Sequence, residues 1–111
     1  MTDASNRLAT YGTLAPGQVN HHHMDGMAGT WTTGTVRGHL HAEGWGAAHN
    51  CPGIVISPDG VDVAVHIFTS ADLPSHWDRL DAFEGSEYQR LITTAETADG
   101  PLEVSIYQVV I

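Results

Sequence analysis

The sequence predicts an α+β domain: a small mixed β-barrel of about six strands with one or two short helices. Six short segments show the alternating or continuously apolar pattern of strands. Tight turns bearing glycine, proline or aspartate join most of them, and such spacing favours a closed or strongly curved sheet, because closure removes exposed edges. A single clear amphipathic helix, around Trp77, interrupts the strands. A chain of 111 residues suits one domain with a modest core. Residues 1–7 are expected to be a polar, mobile leader and residues 8–111 the domain.

Leu8 to Leu14 reads as the first strand, running into the turn Ala15-Pro16-Gly17. Gly12 lies near its end, where a missing side chain lets a ligand approach the backbone. The amides of Gly12, Thr13 and Leu14 are then available to a carboxylate or a developing oxyanion, although an ordinary strand end before a turn looks the same. His21, His22 and His23 follow; adjacent residues cannot all face one metal from a helix or strand, so a partly exposed helix or loop is expected there. Thr35 to His41 alternates Val36, Gly38 and Leu40 against Arg37, His39 and His41. His39, His41 and the nearby Glu43 raise a metal cluster as one reading, against two strand histidines facing solvent; no metal is assigned.

Glu43 to Cys51, with Trp45, reads as a loop over one end of the sheet. Ile54 to Ile56 is a short strand stopped by Ser57-Pro58-Asp59-Gly60. The clearest strand follows, Val61, Val63, Val65 and Ile67 alternating with Asp62, Ala64, His66 and Phe68. Tyr88 to Glu96 is a further strand, Asp99-Gly100 a hairpin signal, and Leu102 to Val110 the last strand. In it Leu102, Val104 and Ile106 share one face and Tyr107 takes the other, either bounding a cavity or lying on the outer surface.

Leu73 to Arg90 holds the most informative residue. At about 100° per residue, Leu73, Trp77, Leu80 and Glu84 fall at offsets of about 0, 40, 340 and 20°, one narrow stripe. Glu84 is thus expected on the apolar face at the last turn, with Asp78 and Asp81 off that face. Gly85 follows at once and can take the left-handed conformation that ends a helix. Desolvation raises a buried carboxyl's pKa toward the range useful for general acid–base chemistry; a helix ending early would instead turn Glu84 to water.

Composition narrows the classes. Thirteen acidic residues stand against 4 arginines, with no lysine, for a formal charge of -9. That argues against nucleic acid or an anionic membrane as partner, and against Schiff-base or P-loop chemistry. Cys51 is alone and cannot form an internal disulfide; as a nucleophile it is a minor option beside Pro52. No apolar run approaches the roughly 20 residues a membrane helix needs, and Met1 to Asn6 lacks the features of a signal peptide. A soluble, cytoplasmic protein is the expectation.

Two motifs far apart carry a resemblance. Tyr11-Gly12-Thr13-Leu14, with Pro16-Gly17-Gln18 and Asn20-His21, resembles the opening signature of the gamma-glutamylcyclotransferase-like family. Leu80-Asp81, Phe83-Glu84-Gly85, Tyr88 and Arg90 resemble its second signature, in the correct order, and the likeness runs from Leu8 to Ile111. Small bacterial and gamma-glutamylamine cyclotransferase-type members are the nearest in style. The resemblance implies a small mixed barrel with a polar cavity at one end. It implies Glu84 as the acid–base residue, substrate held at Tyr11, Gly12, Thr13 and Leu14, and Tyr88 and Tyr107 as possible pocket residues. It further implies a small γ-glutamyl substrate, release of 5-oxoproline, and no cofactor. Val65-His66 departs from the glycine-glutamate frequent in the family, and ending at Ile111, where many relatives continue, leads to the expectation of a more open pocket. Two rival readings stand beside this: a non-catalytic small-molecule-binding module on the same barrel, and a metal protein using His39, His41 and one of His21 to His23. The leaving amine and the oligomeric state are not legible.

Overall fold

Strands β1 (Arg7–Thr10), β2 (Thr30–His41), β3 (Gly53–Ile56), β4 (Val61–Thr69), β5 (Tyr88–Thr97) and β6 (Gly100–Val109) form, with one α-helix, α1 (Trp77–Glu84), between β4 and β5. The computed structural model describes residues 4–11, 24, 26–41, 53–85 and 88–109. Gly12 to Leu14, the Pro16-Gly17 turn, the helix or loop expected at His21 to His23, the Trp45 loop and Cys51 lie outside the described residues.

The six expected strands coincide with the observed ones, apart from their ends. They close as expected into a mixed barrel. The order β1–β4–β2–β3–β6 returns to its start because β1 also pairs with β6. The β1–β6 and β3–β6 seams are parallel, while β1–β4, β2–β3 and β2–β4 are antiparallel. The sixth strand, β5, forms an antiparallel hairpin with β6 and reaches β2 at one register pair, Thr35 opposite Glu96. That contact depends on Gly34, where a Cβ would stand 2.7 Å from the Glu96 carbonyl oxygen. The hairpin loop is Ala98–Asp99, with Gly100 as the first residue of β6 at φ 107°.

Period-two alternation divides the strands between two cores. Ala9, Ile67 and Ile106 point into the barrel with Val36, Ile54, Val63, Val65, Ala95 and Val104. Their neighbours in sequence, Leu8, Phe68 and Tyr107, point outward and meet Leu73, Trp77 and Leu80 in a second cluster. One wall of the barrel is therefore buried on both faces, with α1 as its cover. Tyr107 belongs to this outer layer, opposite Val104 and Ile106. The apolar stripes run past the core at strand ends: Val61, at the start of β4, is 64% exposed, and Leu40, near the end of β2, is 46% exposed.

The helical segment comes in two pieces. Leu73–Ser75, carrying Pro74, is a 3-10 turn, and α1 starts only after His76. The stripe survives the break, since Leu73 and Leu80 are fully buried and Trp77 nearly so. The segment assigned to the leader is structured from Ala4 onward. Ala4–Asn6 is a 3-10 turn with Ala4 buried, its carbonyl accepting a 2.7 Å bond from the Ser105 hydroxyl, and Ser5 accepts one of 2.9 Å from the Trp77 indole. Among the described residues no helix is long and apolar enough to cross a membrane.

Candidate functional site

The last turn of α1 meets the start of β5 across Gly85. The Gly85 amide closes the helix on the Asp81 carbonyl at 3.0 Å, and the chain then turns with φ 82° and ψ −176°. The φ is positive as expected, but ψ is extended rather than helical. This mirror-image extended conformation is essentially restricted to glycine. It swings β5 back beneath the helix, so that Arg90 returns to the residue one turn before Glu84.

That residue is Asp81, off the apolar stripe as expected and with its side chain 42% exposed, yet held by partners from two strands. Arg90 grips its carboxylate with two charge-assisted bonds, from Nε to Oδ1 at 2.9 Å and from Nη2 to Oδ2 at 3.2 Å. The Tyr107 hydroxyl donates to the same Oδ1 at 2.6 Å. Arg90 also lies over the indole of Trp77, 4.3 Å from its centroid, while Tyr107 meets that indole edge-on at 6.5 Å. Register explains the convergence, since Arg90 stands opposite Tyr107 in the β5–β6 hairpin.

Tyr11, at the end of β1, joins this group from the barrel side. Its hydroxyl donates to the Tyr107 carbonyl at 2.6 Å and accepts from the Ile54 amide at 3.2 Å, tying β6 to β3 where β1 stops. A continuous chain of contacts therefore runs from Tyr11 through Tyr107 to Asp81, one helical turn before Glu84. The two sequence motifs, about seventy positions apart, meet through Tyr107. Tyr88, the first residue of β5, is half-buried against the cluster under the helix.

Electrostatics separates the two carboxyl groups. Arg90's bonds hold the Asp81 carboxyl below the usual aspartate range, helped by the Tyr107 hydroxyl and opposed by partial burial. Burial, followed by the repulsion of ionised Asp81, pushes Glu84 up to about 7. Burial and the bond to Asp81 push the Tyr107 phenol upward, so it stays a neutral donor. One carboxyl is thus a fixed anion and its neighbour holds or releases a proton near neutrality, the division of labour that acid–base sites use.

The helix wheel singles out Glu84 as a candidate but gives no role to Asp81 and Arg90, which stand in the sequence only as parts of the second motif. Opposite charges flanking a helix-ending glycine were the available signal. His39 is exposed, and among the described residues no group of three or more histidine, cysteine, aspartate or glutamate side chains is placed to hold a metal. A groove of about 550 Å³ between β2, β3 and β5 includes Arg37, Asp62 and Glu96 but not Glu84. Its Arg37–Asp62 pair, 3.6 Å apart, is largely exposed.

Comparison with known proteins agrees with this architecture. The model of the family described as gamma-glutamyl cyclotransferase, AIG2-like, matches residues 8–110. Sequence comparison with curated proteins finds no match. Among solved structures, the chain is similar to an AIG2-like protein from Mus musculus, with a TM-score of 0.75 and 24% identity over 94% of this chain and 76% of that one. It is also similar to YkqA from Bacillus subtilis, with a TM-score of 0.71 and 24% identity over 94% of this chain and 35% of that one. A third likeness is to allophanate hydrolase from Kluyveromyces lactis, with a TM-score of 0.69 and 15% identity over 94% of this chain and 17% of that one. At such identities the structural likenesses establish the fold alone.

Proposed function

Because the chain belongs to the gamma-glutamyl cyclotransferase, AIG2-like family, we propose that it converts a γ-glutamyl amide or peptide into 5-oxoproline and a free amine, with Glu84 carrying the proton. The observation that supports this most is the meeting of two distant motifs: Tyr11 bonds to Tyr107, and Tyr107 bonds to Asp81, one turn before a carboxyl group with a pKa of about 7.

The chemistry asks little beyond placement and proton transfer. Glu84, ionised, takes a proton from the substrate's α-ammonium group. The freed amine attacks the γ-carbonyl carbon, forming the C–N bond of a five-membered lactam. Because the attack is intramolecular, folding the substrate into the reactive conformer supplies much of the acceleration. The tetrahedral oxyanion collapses, the original amide C–N bond breaks, and Glu84 returns its proton to the departing nitrogen. The second proton of the ring nitrogen passes to the released amine, which leaves as an ammonium ion. A carboxyl group poised near neutrality suits both halves of that exchange. The amides of Gly12, Thr13 and Leu14, which follow Tyr11, are assigned to the oxyanion or the substrate carboxylate. Tyr88 and Tyr107 are assigned to the pocket wall on the β5 and β6 side, and the single catalytic domain expected over residues 8–111 takes in the segment from Ala4 onward as well. The proposed chemistry calls for no metal or organic cofactor, and a cytoplasmic setting is part of the same proposal.

A panel of γ-glutamyl amines and γ-glutamyl dipeptides, assayed for 5-oxoproline by mass spectrometry, tests the proposal. At least one is expected to be turned over, and Glu84→Gln is expected to abolish release while remaining folded. No 5-oxoproline from any member, or near-normal turnover by the variant, would overturn it.

A further inference from the structure

Asp81 is already satisfied by Arg90 and Tyr107, and the reaction above gives it no bond to make or break. Its contacts nevertheless form the junction of the site. Arg90 reaches it from β5, Tyr107 from β6, and Gly85 closes the helix on its carbonyl. Through Tyr107 it is joined to Tyr11, whose hydroxyl also binds the Ile54 amide. Residues three apart on a helix are surface neighbours, so this anchored carboxylate stands beside Glu84. From this geometry we infer that Asp81 is the positioning residue of the site: it locks the last turn of α1 to β5 and β6 and keeps a standing negative charge beside Glu84. The inference rests on Glu84 being the proton carrier, and its first readout does not depend on turnover.

Among the described residues, the ionisable groups that act on Glu84 are few. Asp81 raises its proton affinity, Tyr107 on β6 interacts with it while staying neutral, and Arg90 on β5 is engaged by Asp81. Removing the Asp81 charge should let Glu84 ionise more easily. Removing Arg90 leaves that charge uncompensated and should do the reverse. An Asp81 whose charge did not reach Glu84 would give no such opposition of sign, and the loss of kcat in Tyr107→Phe tests the positioning.

The test is a ¹³C NMR titration of the Glu84 carboxyl carbon in the labelled full chain, assigned by its absence in Glu84→Gln. It is paired with kcat and KM for the best γ-glutamyl substrate. In Asp81→Asn the midpoint is expected to fall by about half a pH unit or more, the scale for two unit charges one turn apart in partly solvated protein. In Arg90→Gln it is expected to rise. Tyr107→Phe keeps the charge but loses its anchor, so kcat is expected to drop about tenfold with KM little changed, as for a group misplaced in the transition state. A midpoint unmoved in folded Asp81→Asn, or moved in the same direction by Asp81→Asn and Arg90→Gln, would overturn the inference. Should Asp81→Asn fail to fold, a midpoint that does not rise in Arg90→Gln would overturn it instead. If no substrate turns over while the two midpoints move oppositely, the proposed reaction fails and the Asp81–Glu84 coupling stands.

Discussion

Replacing Glu84 by glutamine should make the protein more stable in mild alkali while removing its activity. The fold raises Glu84 from 4.5 to about 7, first by burial and then through Asp81. A carboxyl group whose folded pKa is raised contributes stability that is whole below the unfolded value. That contribution is lost as pH rises through the folded value, because ionising the group inside the fold works against folding. Between 4.5 and about 7, at about 1.4 kcal/mol per pH unit, the loss reaches a ceiling of about 3 kcal/mol near pH 8. Glutamine keeps the shape and cannot ionise. Urea unfolding of the wild type and Glu84→Gln should therefore agree near pH 4 and diverge through pH 6 and 7. At pH 8 the variant should be ahead by up to about 3 kcal/mol, a rise in Tm on the order of 10 °C for a domain of this size. Contributions common to both proteins cancel in the difference. Parallel curves across the whole range would refute the reasoning, since Glu84 would then ionise in the fold as freely as in the unfolded chain.

Further outcomes follow from individual contacts. Tyr11→Phe removes the hydroxyl shared by the Tyr107 carbonyl and the Ile54 amide, and should cost about 1–3 kcal/mol in denaturant unfolding. Gly85→Ala meets no atom within 4 Å but must adopt φ 82°, so about 1–3 kcal/mol of backbone strain is expected, measured the same way. Leu80→Ala opens a cavity at a fully buried position beneath α1 and should cost about 2–5 kcal/mol in urea unfolding, with loss of activity at temperatures where the helix detaches.

The strands were legible because their signal is local. Val63, Val65 and Ile67 recur at period two, and the core they face imposes that period. Glu84 stands out as a candidate for a related reason: Leu73, Trp77 and Leu80 define a stripe, and a carboxylate falls on it. Asp81 shows where this reasoning stops. A helix wheel gives its angle, but not that Gly85 folds β5 back beneath the helix or that register brings Arg90 opposite Tyr107. Those contacts depend on pairing between distant segments. Tyr11 was read for the backbone that follows it, whereas its described role is a side-chain bridge across the β6–β3 seam. The two-sided burial of β6 was likewise partly hidden: Tyr107 opposite Ile106 left a cavity wall and an outer-surface aromatic equally open, and only the packing of α1 shows what covers it.

The proton-carrying role of Glu84 is tested most directly by the pH dependence of kcat/KM for 5-oxoproline release. If Glu84 must be ionised in the free enzyme to accept the substrate's proton, kcat/KM should rise about tenfold per pH unit below an inflection near 7 and level off above it. A profile flat from pH 5 to 8, or one breaking near 4.5 as for a solvated glutamate, would contradict the account.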